Sequence, residues 1–225
     1  MEKISDVFDA RLQHPFCLIV CGPTMSGKSS FVNSLLENSH RLIYPPPDNV
    51  IWCFGIQTDK LKDESFNRYH NITPVEGIPE SFDEYIKPEK TNLIILDDLM
   101  TETVSNKNVT NLFTRYCHHK NCSVILILQD IFYNGSQRKT FLRNAHYLVL
   151  FANPLDMSSI YSIGHKVMPK KIKKFLNIFE VATRYPYGYL FIDGKPMTPK
   201  VARFRTDICN TYQRVLIPNN ENSTT

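Results

Sequence analysis

The residues that most restrict what this chain can fold into are Gly22, Pro23, Thr24, Met25, Ser26, Gly27, Lys28 and Ser29, which satisfy the pattern G-x-x-x-x-G-K-[ST] in full. An apolar run at 16–21 enters them and an amphipathic stretch reaching about residue 37 leaves them, so the segment reads as strand, loop and helix. Glycines at 22 and 27 let the backbone curl until successive N–H groups converge, and the helix that follows adds its positive end. Such a loop is a cradle for phosphate oxygens, and Ser30 extends it into the first helical turn. Lys28 is expected to bring a point charge to the β- and γ-phosphates, and Ser29 a hydroxyl to Mg2+. The implied ligand is ATP. A glycine-rich turn with a solvated lysine is the plain alternative, and the strand and helix on either side argue against it.

A chain of 225 residues with 42% apolar content can bury one substantial core. One domain is expected at 14–218, with an N-terminal extension at 1–13 and a frayed tail at 219–225. Strand-like runs at 16–21, 50–54, 92–96, 123–128 and 146–151 alternate with helical segments at 106–119, 156–167 and 170–184. That alternation predicts an α/β fold with a mostly parallel central sheet and helices on both faces. Residues 189–193 and 201–205 read as a C-terminal β-hairpin turning around Asp193 and Gly194. From 57 to 90 the pattern is poor, with a short helix expected around 81–86.

No apolar run approaches the ~20 residues of a spanning helix, and residues 1–14 carry no apolar segment of a secretory leader. The expectation is an intracellular chain that is not secreted and has no membrane partner. Cysteines at 17, 21, 53 and 122 fall on strands predicted to be buried, which fits a reducing compartment rather than a disulfide framework.

Hydrolysis of a bound triphosphate requires acids near the loop. The run at 93–96 delivers Asp97 at its carboxyl end, where parallel strands present ligand sites. Asp97 is expected to hold Mg2+ through water, and Asp98 to orient or deprotonate an attacking water. Paired acids also simply begin turns. Gln129 closes the run at 124–128, a strand expected beside the first one, where its amide can reach the γ-phosphate or the lytic water. Arg138 and Arg143 lie between that strand and the next, on a segment from which a guanidinium can reach a neighbouring subunit's nucleotide. Asp193, Arg203 and Arg205 read as structural or surface groups. The formal charge of +4 decides nothing, but residues 157–179 contain no acid and include Lys166, Lys170, Lys171, Lys173 and Lys174, a stretch suited to phosphates or to a solvated helix face.

The order of these features resembles the viral genome-packaging ATPases of the FtsK/HerA superfamily, over residues 14–206. The resemblance rests on His14-Pro15-Phe16, the loop at 22–29, Leu96-Asp97-Asp98-Leu99-Met100, Leu128-Gln129-Asp130-Ile131-Phe132, the stretch from Arg143 to Phe151 and that from Tyr185 to Asp193. The branch in poxviruses, virophages, Polinton/Maverick elements and adintoviruses is the most similar. The resemblance implies a RecA-like P-loop NTPase fold of the ASCE type and a homo-oligomeric ring, a pentamer or hexamer, around double-stranded DNA. It further implies ATP hydrolysis that drives a genome into a capsid at the site of virion assembly, with capsid or portal proteins as partners. Asp97 and Asp98 correspond to the Walker B pair, following the Walker A loop, and Gln129 to the sensor. Relatives would carry an arginine about five residues before the position of Asn144, where this chain has Lys139, so Arg138 and Arg143 both remain candidates for the trans-acting arginine.

A nucleoside or nucleotide kinase of the thymidine-kinase type is the main rival, since its loop is similar. No C-x-x-C pair is present to build the zinc ribbon those enzymes carry. A superfamily-three helicase would need a further domain, for which 225 residues leave little room. An ATP-gated assembly factor without turnover is the third reading.

Overall fold

The computed structural model describes residues 8–55, 72–99, 106–117, 120–132 and 138–218, with the side chain of Arg138 outside that description. The strand that enters the glycine-rich loop, β2 (Cys17–Cys21), is apolar and buried at every position. Such a run needs apolar cover on both faces, which a parallel sheet between two helical layers provides. Parallel to β2 run β7 (Cys122–Leu128) on one side and β8 (Tyr147–Phe151) on the other. Outward from β7 lie β6 (Asn92–Asp97), β4 (Asn49–Phe54) and the edge strand β5 (Ile72–Glu76), all parallel. Outward from β8 lie β9 (Tyr189–Asp193), β10 (Phe204–Thr206) and β11 (Arg214–Val215), each antiparallel to its neighbour.

Alternation along each strand sorts the core into two layers. Cys17, Ile19 and Cys21 share one face with Ile94, Leu96, Val124 and Leu126, while Leu18 and Val20 share the other with Leu93, Ile95, Ile125 and Ile127. Helix α1 (Lys28–Glu37) covers the second face through Phe31, Val32 and Leu35, and the short α2 (Ser39–Leu42) follows it. The first face is covered by α3 (Lys107–Asn111), which continues into a π-helical turn at Leu112–Tyr116, and by α4 (Arg138–Asn144), α5 (Ser158–Val167) and α6 (Ile172–Ala182). The segments leaving β2 and β7 thus cross opposite faces of the sheet. Their diverging carboxyl ends open a crevice of the kind in which α/β sheets bind ligands.

Several local expectations are corrected. The poorly patterned stretch contributes β5, whose Pro74 is tolerated because an edge strand can forgo one ladder hydrogen bond. Residues 56–71 lie outside the described residues, as does the tail at 219–225. Around 81–86 there is a single turn, in which the amides of Tyr85 and Ile86 donate to the Phe82 carbonyl, rather than a helix. The C-terminal hairpin is present, but it does not turn at Asp193 and Gly194. The Gly194 amide donates to the His146 carbonyl at 2.8 Å and prolongs the pairing with the neighbouring segment. The connection then runs on through a 3-10 turn at Lys200–Ala202. Asp193 organises it, accepting from Thr198 Oγ1 at 2.8 Å and from Arg205 Nη2 at 3.0 Å.

Residues 8–13 join the same body: β1 (Leu12–Gln13) pairs in parallel with β3 (Ile43–Tyr44), and Arg205 Nη1 donates to the Ala10 carbonyl at 2.6 Å. Among the described residues no helix is long and apolar enough to cross a membrane.

Candidate active site

The loop begins where β2 stops. The Gly22 amide donates to the Leu128 carbonyl at 3.2 Å, so the first turn of the loop is tied to the end of β7. A Cβ at position 22 would lie 2.6 Å from Phe151 Cβ and 2.8 Å from Ser26 Oγ, and only glycine leaves room for the chain to pass. The Ser26 amide donates back to the Pro23 carbonyl at 3.2 Å. Met25 (φ 62°) and Gly27 (φ 100°) both take left-handed backbone. This alternation folds peptide amides into a concave, anion-seeking surface, and glycine is the residue that adopts it without strain. Helix α1 starts directly afterwards with no acid in its first turn, which leaves its positive end available to an anion.

Lys28 Nζ donates to the Pro23 carbonyl at 2.7 Å and so lies across the loop. Burial lowers its pKa, opposed by the nearby Cys21, Asp97 and Asp98. One residue on, Ser29 Oγ donates to Asp97 Oδ2 at 3.4 Å, which joins the loop to the far end of β6. Asp97 has its pKa raised chiefly by burial and further by Asp98, while the Ser29 hydroxyl and the Lys28 charge pull it down.

Asp98 leaves β6 in a left-handed conformation (φ 53°), and Gln129 Nε2, at the end of β7, donates to its Oδ1 at 2.9 Å. Gly55, at the end of β4, makes this placement possible. Its amide donates to the Asp97 carbonyl at 3.3 Å, and a Cβ there would sit 2.8 Å from the Asp98 carbonyl oxygen. Sequence reading passed over Gly55, although a glycine directly after an apolar strand was a visible signal of close backbone approach.

These groups suit a phosphate and a hard cation. A Gly22 cradle that a Cβ would fill, a buried Ser26 hydroxyl without a hydrogen-bond partner among the described residues, and a hydroxyl paired with a carboxylate are the fittings such ligands require. Among the described residues no three His, Cys, Asp or Glu side chains converge as a metal cage. Magnesium bound through one carboxylate, a hydroxyl and phosphate oxygens needs no such cage.

The two arginines stand apart from this group. Arg138 opens α4, and its side chain lies outside the described residues. Arg143 is exposed in the last turn of α4, just before β8. The neighbouring His146 bonds the Cys17 backbone at the opening of β2. Arg143 is therefore at the amino end of the sheet, whereas the loop is at the carboxyl end. The lysine-rich stretch runs from the last turn of α5 into the first of α6, with Lys166, Lys170, Lys171 and Lys173 exposed.

No family model matches the chain, and no curated protein matches it in sequence. Solved structures do match in fold. The genome packaging NTPase B204 from Sulfolobus turreted icosahedral virus 2, in complex with AMP, superposes with a TM-score of 0.52 at 14% identity, covering 83% of this chain and 96% of that one. The same NTPase in complex with ATP-gammaS gives 0.51 at 13% identity, covering 81% and 94%. B204, the DNA-packaging ATPase from Sulfolobus Turreted Icosahedral Virus, gives 0.53 at 12% identity, covering 80% and 93%. These three neighbours are viral genome-packaging NTPases, and the fold shared with them is a RecA-like P-loop fold; in this chain one strand, β7, separates the loop strand from the acid strand.

Proposed function

We propose that this chain is an ATPase of the FtsK/HerA packaging type, which hydrolyses ATP to move double-stranded DNA and fill a viral or virus-like capsid. The observation that carries the reading is the contact of Ser29 with Asp97 across the breadth of β7, with Gln129 holding Asp98 beside it. The fold shared with B204 supports it, and so does the run of motifs that resembles the poxvirus, virophage and Polinton/Maverick branch.

In this reading residues 22–30 grip the triphosphate through backbone amides, and Lys28 neutralises charge that builds on the β- and γ-phosphates as the bond between them breaks. Ser29 and Asp97 would hold Mg2+, which when bound polarises the phosphate oxygens. Asp98 accepts a proton from the attacking water, whose oxygen bonds to the γ-phosphorus while the β–γ bridging bond breaks. Gln129 orients both the carboxylate and the water. Arg138 or Arg143 acts in trans in a ring of identical subunits, since in one chain Arg143 lies at the opposite end of the sheet. The exposed lysines at 166–173 bind DNA phosphates without reading sequence, and capsid or portal proteins receive the assembly inside the cell.

The test is ATP turnover by purified protein with and without long duplex DNA, alongside its mass in solution. The expected result is an oligomer whose turnover rises with DNA and whose DNA affinity falls steeply with salt. Phosphate transfer to thymidine or a nucleotide, with no response to DNA, would establish a kinase instead.

A further inference from the structure

Beside the loop, on the side away from Asp97, lies an open recess of ≈ 330 Å³ whose walls include Met25, Ser26, Phe151, Thr183, Tyr185 and Tyr187. Its volume falls at the lower end of the ~300–1,000 Å³ of small-ligand sites. Two of its walls belong to the glycine-rich loop, so whatever occupies the recess is continuous with what the loop holds.

The segment between α6 and β9 is shaped to present aromatic rings here. Tyr187 has φ 62°, a left-handed conformation rare for a bulky side chain, and it follows Pro186. Its ring stands over the loop, 3.2 Å from where a Cβ of Gly27 would be. Despite that contact Tyr187 is 71% exposed and Tyr185 66%, which leaves much of both side chains free for a further partner. The floor is rigid, because Phe151 packs at 6.5 Å from Phe31 and 5.6 Å from Tyr189, ring centre to ring centre. The Ser26 hydroxyl lies at the loop end of the recess, buried and without a partner among the described residues.

We propose that this recess holds the nucleobase and ribose of the nucleotide, with Tyr187 and Tyr185 supplying the stacking surface and Ser26 a polar contact where the recess meets the loop. The inference rests on the reading of residues 22–30 as a triphosphate site and adds the part of the substrate that the loop cannot sense. A flat, uncharged heterocycle attached through a sugar to phosphates fits both the aromatic wall and the continuity with the loop. A second copy of the chain lying over the exposed tyrosines is the competing occupant.

The experiment compares magnesium-supplemented ATP with inorganic tripolyphosphate, which has phosphates but no base, by calorimetric binding to the full chain. The wild-type protein is expected to prefer ATP. Tyr187→Ala should weaken ATP binding about tenfold to a hundredfold and leave tripolyphosphate within about twofold, the range expected for losing one base-stacking partner. Tyr187→Phe should restore ATP binding. Tyr185→Ala, at a position without the left-handed backbone, should act in the same direction. Equal affinity of the wild type for both ligands, or parallel losses of both in Tyr187→Ala, would overturn the recess while leaving the loop intact. Failure of the wild type to bind either ATP or tripolyphosphate would instead sink the triphosphate reading. A change in molecular mass with no change in preference for ATP would assign the tyrosines to a subunit contact.

Discussion

Asp98 is held from two directions, by its own left-handed backbone and by the 2.9 Å bond from Gln129. A group positioned so firmly beside a phosphate loop suits proton transfer better than metal binding, which the Ser29 and Asp97 pair already serves. Asp98→Asn keeps the shape and an acceptor oxygen but removes the basicity. Turnover is expected to fall by about 10²–10⁴-fold, with ATP affinity little changed, and undiminished turnover would reject the role. Asp97 offers a second test, through pH. An acid whose pKa is raised in the fold binds its proton more tightly folded than unfolded, so its ionisation weakens the fold as pH rises through the carboxylate range. Asp97→Asn should therefore raise the thermal midpoint of the free protein at neutral pH while abolishing the stabilisation that magnesium and ATP confer. In the wild type, the acid limb of kcat/KM should lie above the ~4 of an ordinary carboxylate.

At the scale of elements, α5 and α6 form a pair that carries the exposed lysines, and Gly164 lets side chains of α6 pack directly against α5. A Cβ there would meet Ile172 Cδ1 at 2.5 Å and Phe175 Cδ1 at 2.6 Å. Phe175 is fully buried, packed against Phe204 of β10 with ring centres 6.2 Å apart, so the strain has little room to relax. Gly164→Leu is expected to cost about 1–3 kcal/mol by overpacking and to splay the pair. Chemical denaturation measures the first effect, and a weaker response of turnover to DNA the second. A variant that is stable and fully responsive to DNA would remove this helix pair from the DNA surface.

For the whole molecule, the Arg205 and Asp193 pair acts as an internal clasp. Both side chains are almost wholly buried, at 2% and 3% exposed, and together they join β9, β10, the 194–203 connection and the Ala10 backbone. Desolvating two charges makes such a pair a weak net stabiliser, but removing one partner strands the other in the core. Arg205→Ala should cost about 3–5 kcal/mol, and Arg205→Met combined with Asp193→Leu should recover much of it, as read from urea midpoints. A cost below about 1 kcal/mol for the single variant would show that Asp193 is satisfied by Thr198 and Lys195 alone.

What was readable along the chain was whatever neighbouring residues decide among themselves. The glycine-rich loop is local: eight consecutive residues carry the turns, the amides and the charge. Unbroken apolar runs marked the buried parallel strands to within a residue or so, and the acids at 97 and 98 were visible as the end of one such run. Folding decided the rest, because it depends on pairs far apart in sequence. Ser29 and Asp97 are 68 residues apart, and Gln129 and Asp98 are 31 apart. Gly55 matters only because β4 ends against Asp98, and Tyr187 only because its loop returns to Gly27. The edge strand β5 and the long β9–β10 connection escaped notice for the same reason: each is held by backbone pairing or a buried carboxylate contributed from elsewhere, and no local pattern records such a partner.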